Sequence, residues 1–312
     1  MRTFAFPGEP RPLSRVALGT FPFDGREWGP ADDPAAVRTI HAALDAGINV
    51  FDSAPSYGPE HAEVVLGRAL ADRRDRAFVA TKVGIRWNTV RYYQDLTAAS
   101  VREECEASLR RLRTDRIDLL QIHWPHAETP LAETMRALAA LKAEGKVRHI
   151  GVSNFTVEQL EEARRHGPVE GLQPLWSPLL RGADETLLPW CAAHGVPVLA
   201  YGVLVRGLLA GRFLDGVVPD DLRRKDPHFA PDYFARVLPF ARRFAEVARE
   251  LGMPPGHLAI ACALAQPGLS AVIVGARAPE QAHQNAAAAD VVLDAEALAA
   301  VEACFAEAPR VA

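Results

Sequence analysis

Residues 50–58 read VFDSAPSYG, and the parsing of this stretch decides the fold. An apolar run, Ile48, Val50 and Phe51, stops at Asp52, and Pro55, Ser56, Tyr57 and Gly58 follow as a loop. A buried parallel strand ends in this way when it passes into an exposed βα turn. The reading puts a carboxylate on the strand terminus and a phenol five residues later.

The same theme repeats on both sides of this stretch. Upstream, a helix over 34–46 closes at Gly47, a residue suited to a left-handed cap. Before it, Val16–Leu18 forms a short strand ended by Gly19-Thr20, and a Pro7-Gly8 turn between two short runs within 2–15 predicts a hairpin. Downstream, helix 60–71 leads to a strand over 77–80 that ends in Thr81-Lys82. The segment 84–97, with Trp87, Tyr92 and Tyr93, reads as a loop, and helix 98–112 follows with Ser100 and Glu103 as a capping box. Strand 117–122 ends at His123, and helix 131–144 leads to strand 149–152, which ends at Ser153-Asn154. Thr156 caps helix 157–166, and strand 171–173 carries Gln173 and leads to Trp176. Helix 184–194, strand 196–201, a polar loop over 212–230, an amphipathic helix over 231–251 and helix 256–266 precede the eighth strand, 271–274. Helices over 279–288 and 294–306 close the chain.

Eight βα units in 312 residues, with no low-complexity linker, predict one domain over 1–312. Its class is α/β, a (β/α)8 TIM barrel with an N-terminal β-hairpin covering the bottom. Composition agrees with a soluble globular chain: 49% apolar, 24% charged, formal net charge −4 with both signs interspersed. Nucleic acid and membrane are not expected partners, because no basic block and no run of about 18 apolar residues occurs. The N-terminus lacks the apolar region of a signal peptide, and the four cysteines are scattered without a CxxC pair. Both point to a cytoplasmic protein with reduced thiols.

In a barrel, residues ending the strands meet at one mouth. Here they are Gly19-Thr20, Asp52 with Tyr57, Lys82, His123, Ser153-Asn154, Gln173 and Gly275-Arg277. A phenol is a poor acid at neutral pH, and a nearby ammonium favours its ionised form. Asp52 would keep Lys82 charged and in place, and His123 would hydrogen-bond a substrate oxygen. Such a cluster can polarise a carbonyl and protonate the alkoxide left by an arriving hydride. No second histidine stands at a metal-ligand spacing from His123, so no metal is expected.

Over nearly its whole length the chain resembles the aldo-keto reductase family. The resemblance is carried by Leu18-Gly19-Thr20, FDSAPSYG (51–58), ATK (80–82), SLRRLRTDRIDLLQIH (108–123), GKVRHIGVSN (145–154), Leu172-Gln173, YGVLVRGLLAGRF (201–213) and VGARAPEQAHQN (274–285). It implies a catalytic tetrad of Asp52, Tyr57, Lys82 and His123, with Tyr57 the proton donor in reduction. It also implies NADPH/NADP+, with NADH the lesser alternative, bound without a Rossmann fold. The implied cofactor contacts are Gly19, Thr20, Asp52, Ser153, Asn154, Gln173, Tyr201, Gly202, Leu204, Gly207 and Leu209. They continue with Gly275, Arg277, Gln281 and Asn285. Arg277 is the expected receptor of a 2′-phosphate, and Trp176 is expected to stack on the nicotinamide where many members have tyrosine.

The substrate pocket is expected to draw on Phe21, Phe23, Trp28, Trp87, His123 and Trp124, a mostly apolar wall suited to a small-molecule carbonyl. A monomer or small homo-oligomer is expected. Two other readings compete: a lyase forming a Schiff base on Lys82, and a cofactor-sensing regulatory subunit.

Overall fold

The computed structural model describes residues 1–218 and 220–309. Its strands, in chain order, are β1 (Thr3–Phe4), β2 (Leu13–Ser14), β3 (Val16–Gly19), β4 (Val50–Asp52), β5 (Phe78–Val83), β6 (Ile85–Trp87) and β7 (Tyr92–Gln94). They continue with β8 (Ile117–Ile122), β9 (Val147–Ser153), β10 (Leu172–Gln173), β11 (Leu199–Ala200) and β12 (Ala271–Gly275). Eight of these pair in parallel in the order β10-β9-β8-β5-β4-β3-β12-β11. Parallel bridges Leu172–Val198 and Leu175–Tyr201 join the two ends, so the sheet curls into a nearly closed barrel. This is the expected (β/α)8 architecture.

Alternation along the strands sorts side chains into two cores. The inward set includes Ala17, Val50, Phe78, Ala80, Leu119, Leu199, Ala271 and Ile273, with Phe6 and Leu13 among them. The outward set, with Val16, Phe51, Val79, Leu120 and Ile150, packs under the helices. The hairpin β1–β2 closes the bottom as expected: Phe6 is fully buried, 5.3 Å from the Phe78 ring and 4.9 Å from that of His149. Lys82 is in phase with Phe78 and Ala80, and Asp52 with Val50. Both therefore continue the interior set at the opposite end.

The helices fall near their expected limits, as at Ala98–Leu112 and Pro231–Glu250. Thr156 and Gln159 form a full capping box on helix Val157–His166. Two local expectations need correction. Helix Ala98–Leu112 starts one turn earlier than the Ser100–Glu103 box implied: Thr97 is the cap and accepts from the Ser100 N–H. The segment 84–97 is not a plain loop, because β6 and β7 form an antiparallel hairpin, with Trp87 opposite Tyr92. The mixture of aromatic and polar residues there hid the pairing, since a two-stranded ribbon with no buried face has no apolar alternation to read. All four cysteines are buried and unpaired. Among the described residues, no helix is long and apolar enough to cross a membrane.

Candidate active site

Local packing fixes the three elements that carry the central groups. Strand β5 is pinned from outside: Thr81, beside Lys82 but facing outward, donates to Glu63 at 2.5 Å, and Arg111 holds the same buried carboxylate at 2.6 Å. The loop after β4 is pressed against the loop after β3. At Gly58 (φ +62°) an added Cβ would lie 1.8 Å from the Asp24 carbonyl oxygen, so only glycine fits there. Asp24 in turn accepts from the backbone N–H groups of Arg26, Glu27 and Trp28 at 3.1, 2.9 and 3.2 Å. At the end of β9, Asn154 adopts a left-handed conformation, φ +62°. Its side chain holds that geometry, donating to the His123 carbonyl and Ser153 Oγ, both at 3.0 Å, and accepting from the Tyr201 hydroxyl at 2.8 Å.

These supports bring Asp52, Tyr57, Lys82 and His123 together. Lys82 Nζ donates to both Asp52 carboxylate oxygens at 2.8 Å, to the Ser53 carbonyl at 2.8 Å, and to the Tyr57 hydroxyl at 3.3 Å. Lys82 is fully buried and Asp52 is 3% exposed. Gln173 donates to Asp52 at 2.8 Å from across the barrel. The His123 ring stands edge-on to Tyr57, with centroids 6.0 Å apart.

Electrostatics assign protonation states. Burial alone would depress the Lys82 ammonium, but Asp52 and Tyr57 outweigh it and hold the amine above its ordinary value. Burial, reinforced by the Lys82 charge, takes His123 well below its ordinary value, so the imidazole is neutral at neutral pH. For Tyr57 the sign differs from the expectation of an acidified phenol. Burial raises it above its ordinary value, and Lys82 offsets only part of that rise. The phenol is therefore protonated at neutral pH, and its ionised form is the one the ammonium favours.

Around this cluster the residues expected at a cofactor fall into three groups. Ser153, Asn154, Gln173 and Tyr201 form one polar network on the β9–β11 side, with Ser153 donating to the Gln173 carbonyl at 2.8 Å. Thr20 donates to Ser53 Oγ at 2.8 Å, and Gly19 is paired with Asp52. The segment 202–211 turns tightly through Gly202, Val205, Arg206 and Gly207, all with positive φ. Leu209 is fully buried and Leu204 partly so, which leaves their main chain as the part available to a ligand. After β12, the Arg277 N–H is held by Gln281 at 2.7 Å, and Asn285 donates to the Gly275 carbonyl at 3.3 Å.

Trp176 does not fit its expected place. It is fully buried, its indole donates to Asp184 at 2.6 Å, and the Arg181 guanidinium lies 5.5 Å over the ring. Its face is occupied by the protein, so it offers no platform to a ligand. The aromatic ring at the mouth on this side is Tyr201, whose hydroxyl is tied to Asn154. The signal was there to be read, since Tyr201 directly follows a strand end whereas Trp176 lies three residues past one.

The aromatic groups expected at the substrate side are spread round the rim. Phe21 lies 4.8 Å from the Tyr57 ring and 6.0 Å from Trp28. Trp28 is covered by the Arg223 guanidinium at 4.5 Å, which also lies 4.8 Å over Phe213. This clasp between the loop after β3 and the segment 212–230 was not foreseen from sequence; it depends on contacts across nearly two hundred residues. Arg206 pairs with Asp226 and lies 6.0 Å over Phe21. Trp87 sits on β6 and Trp124 is 44% exposed on the loop after β8, while Phe23 turns into the core. Among the described residues there is no cluster of three or more metal-ligating side chains.

Comparison with known proteins shows the family and the fold. The model of the Aldo/keto reductase family matches residues 15–306. A curated relative, the NADH-specific methylglyoxal reductase of Escherichia coli, is 36% identical over 302 residues, covering 91% of this chain and 93% of its own. The glycerol dehydrogenase of Gluconobacter oxydans superposes with a TM-score of 0.90 at 41% identity, over 98% of this chain and 95% of its own. An aldo/keto reductase from Klebsiella pneumoniae, solved with NADP and acetate, superposes with a TM-score of 0.76 at 31% identity, over 97% and 95%.

Proposed function

The chain belongs to the aldo/keto reductase family, and on that premise we propose that it is an NADPH-dependent reductase of aldehydes or ketones. The observation that carries the proposal is the buried Lys82 ammonium held between Asp52 and the Tyr57 hydroxyl, with a neutral His123 ring beside them. A nicotinamide held by Ser153, Asn154, Gln173 and Tyr201 would supply hydride chemistry at the carbonyl carbon. The chain's own residues then deal with the oxygen. Tyr57 and the neutral His123 offer hydrogen bonds to it, and Tyr57 gives up its proton as negative charge builds. Lys82 stabilises the phenolate so formed, and Asp52 fixes Lys82 without leaving a buried charge uncompensated.

The donor set around the cluster suits a dinucleotide. Ser153, Asn154 and Gln173 match the amide's needs for donors and acceptors, and Tyr201 takes the stacking role once given to Trp176. The turn at 202–211 would carry the pyrophosphate and Arg277 the 2′-phosphate, with Gln281 and Asn285 bracing that end. An NADH-using enzyme is the second reading, favoured by the relative of that specificity. A Schiff base on Lys82 is disfavoured, because the amine is held charged by its partners and the neutral form is the nucleophile. The deciding experiment follows NADPH and NADH consumption by purified protein over a panel of aldehydes and ketones. Reduction with NADPH, lost in Tyr57→Phe while cofactor binding persists, is the expected result; full activity in that variant overturns the mechanism.

A further inference from the structure

The strands that carry Lys82 and His123 stop pairing just beyond those two residues. The last bond between them runs from the His123 N–H to the Val83 carbonyl, at 3.0 Å. One residue later β5 breaks its course at Gly84 (φ +99°), where an added Cβ would lie 2.4 Å from the Leu96 side chain. A bond at the end of a ladder frays readily unless another contact fixes it. The Gly84 N–H belongs to the same peptide unit as the Val83 carbonyl and points the opposite way, because that unit is planar and trans. It donates to the two Glu104 carboxyl oxygens, at 3.1 and 3.4 Å. A single peptide therefore joins Glu104 on one side to the His123 backbone on the other. The carbonyl of His123 is held in turn by Asn154 at 3.0 Å. These two backbone contacts and the edge of the Tyr57 ring place the imidazole.

Glu104 is a costly choice for supporting one backbone amide. It lies on the buried side of helix Ala98–Leu112 and is 5% exposed. Its other partner is Ser100, one turn earlier, which donates to it at 3.3 Å. Arg86 bonds Ser100 and Glu103, at 3.5 and 3.2 Å. A carboxyl buried without a cation bonded to it is disfavoured in its charged form and burdens the fold. Burial pushes this one up to about 8, so it is neutral at neutral pH. Stability does not account for a carboxyl here; the peptide that it holds does.

We propose that Glu104 is a positioning residue for carbonyl reduction: through the peptide between Val83 and Gly84 it sets His123 against Lys82 and Tyr57, and so fixes the hydrogen bond offered to the carbonyl oxygen. The inference rests on the reductase reading above and adds to it a residue buried behind the strand end that acts only through His123. Without an acceptor at position 104 the Gly84 N–H is left buried and unpaired, and the strand end shifts to find another partner. His123 moves with it, and a displacement of about 1 Å at a reacting group can cost about a hundredfold in rate.

The test measures kcat and KM for the aldehyde that the unaltered enzyme reduces fastest. Rates are counted per bound NADPH, so a partly folded preparation still gives a valid reading. Glu104→Leu removes the acceptor, whereas Glu104→Gln keeps an oxygen for the Gly84 N–H and resembles the neutral carboxyl. In Glu104→Leu, kcat/KM is expected to fall about tenfold or more, mostly in kcat, with NADPH affinity unchanged. Glu104→Gln should stay within about threefold of the unaltered enzyme. On a His123→Ala background, Glu104→Leu should cost less than about twofold further, because an effect carried by His123 has nothing left to act on. Full activity per bound NADPH in Glu104→Leu overturns the inference. So does a Glu104→Gln enzyme as impaired as Glu104→Leu, or a loss that multiplies with that of His123→Ala. Each of these outcomes leaves the reductase reading intact. If the unaltered protein reduces no carbonyl with either nicotinamide, the reductase reading fails first and takes this inference with it.

Discussion

Lys82 Nζ stands 3.3 Å from the Tyr57 hydroxyl while both Asp52 oxygens hold the same ammonium at 2.8 Å. The carboxylate has the shorter, charge-balancing contacts and the phenol the longer one. The arrangement is therefore a buried ion pair with a spare donor aimed at Tyr57. Burial keeps the phenol protonated in the resting barrel, and the ammonium favours its ionised form when the proton leaves.

This sets the pH dependence of the two reaction directions. Reduction needs the protonated phenol, whose value lies above the ordinary 10 because burial outweighs Lys82. The rate of carbonyl reduction is expected to stay level through neutral and mildly alkaline pH and to fall only near or above 10. Alcohol oxidation needs the phenolate and is expected to rise with pH over the same range. Measuring kcat/KM in both directions from pH 6 to 11 checks the sign.

Replacing Lys82 by methionine removes the cation and strands the buried Asp52. Breaking such a pair costs about 3–5 kcal/mol, so urea unfolding should show a loss of that order, together with loss of reduction. Asp52→Asn in the same chain should return much of the stability and none of the activity. A double-mutant cycle with no coupling between the two positions would contradict the ion-pair account.

Glu104 gives stability a pH slope of its own. Its buried carboxyl is pushed up to about 8 by burial, despite accepting from the Gly84 N–H at 3.1 Å. The unfolded chain ionises it near 4.5, so between those values the folded state holds the extra proton. Stability from this group is complete below about 4.5 and declines as pH rises toward 8, by up to about 1.36 kcal/mol per pH unit. Denaturation midpoints for Glu104→Gln should be flatter between pH 5 and 8 than those of the unaltered protein.

Cofactor choice should turn on Arg277. A charge-assisted bond to a phosphate is worth about 1.5–3 kcal/mol, so Arg277→Ala is expected to weaken NADPH about 10- to 100-fold and NADH hardly at all. Fluorescence titration with both cofactors makes the comparison. Equal weakening of the two would remove Arg277 from the 2′-phosphate.

Much of this protein is legible along the chain. Periodicity alone delivers eight strands and the helices between them. The strand ends name Asp52, Tyr57, Lys82 and His123, because a polar residue that closes a buried apolar run has few reasons to be there. Local rules failed where their signal is weak. The β6–β7 hairpin has no buried face, and the helix cap at Thr97 competes with an equally good motif at Ser100.

The sequence by itself determined the barrel, the order of its elements and the residues that reach its mouth, since these follow from short-range patterns of burial. Tertiary structure decided what surrounds those residues. It turned Trp176 inward onto Asp184, left Tyr201 at the rim, raised the Tyr57 phenol and laid Arg223 across Trp28. Each of these depends on which groups lie nearby in space and how far water is excluded. Desolvation and contacts between distant segments are properties of the closed barrel, so no local reading of the chain contains them.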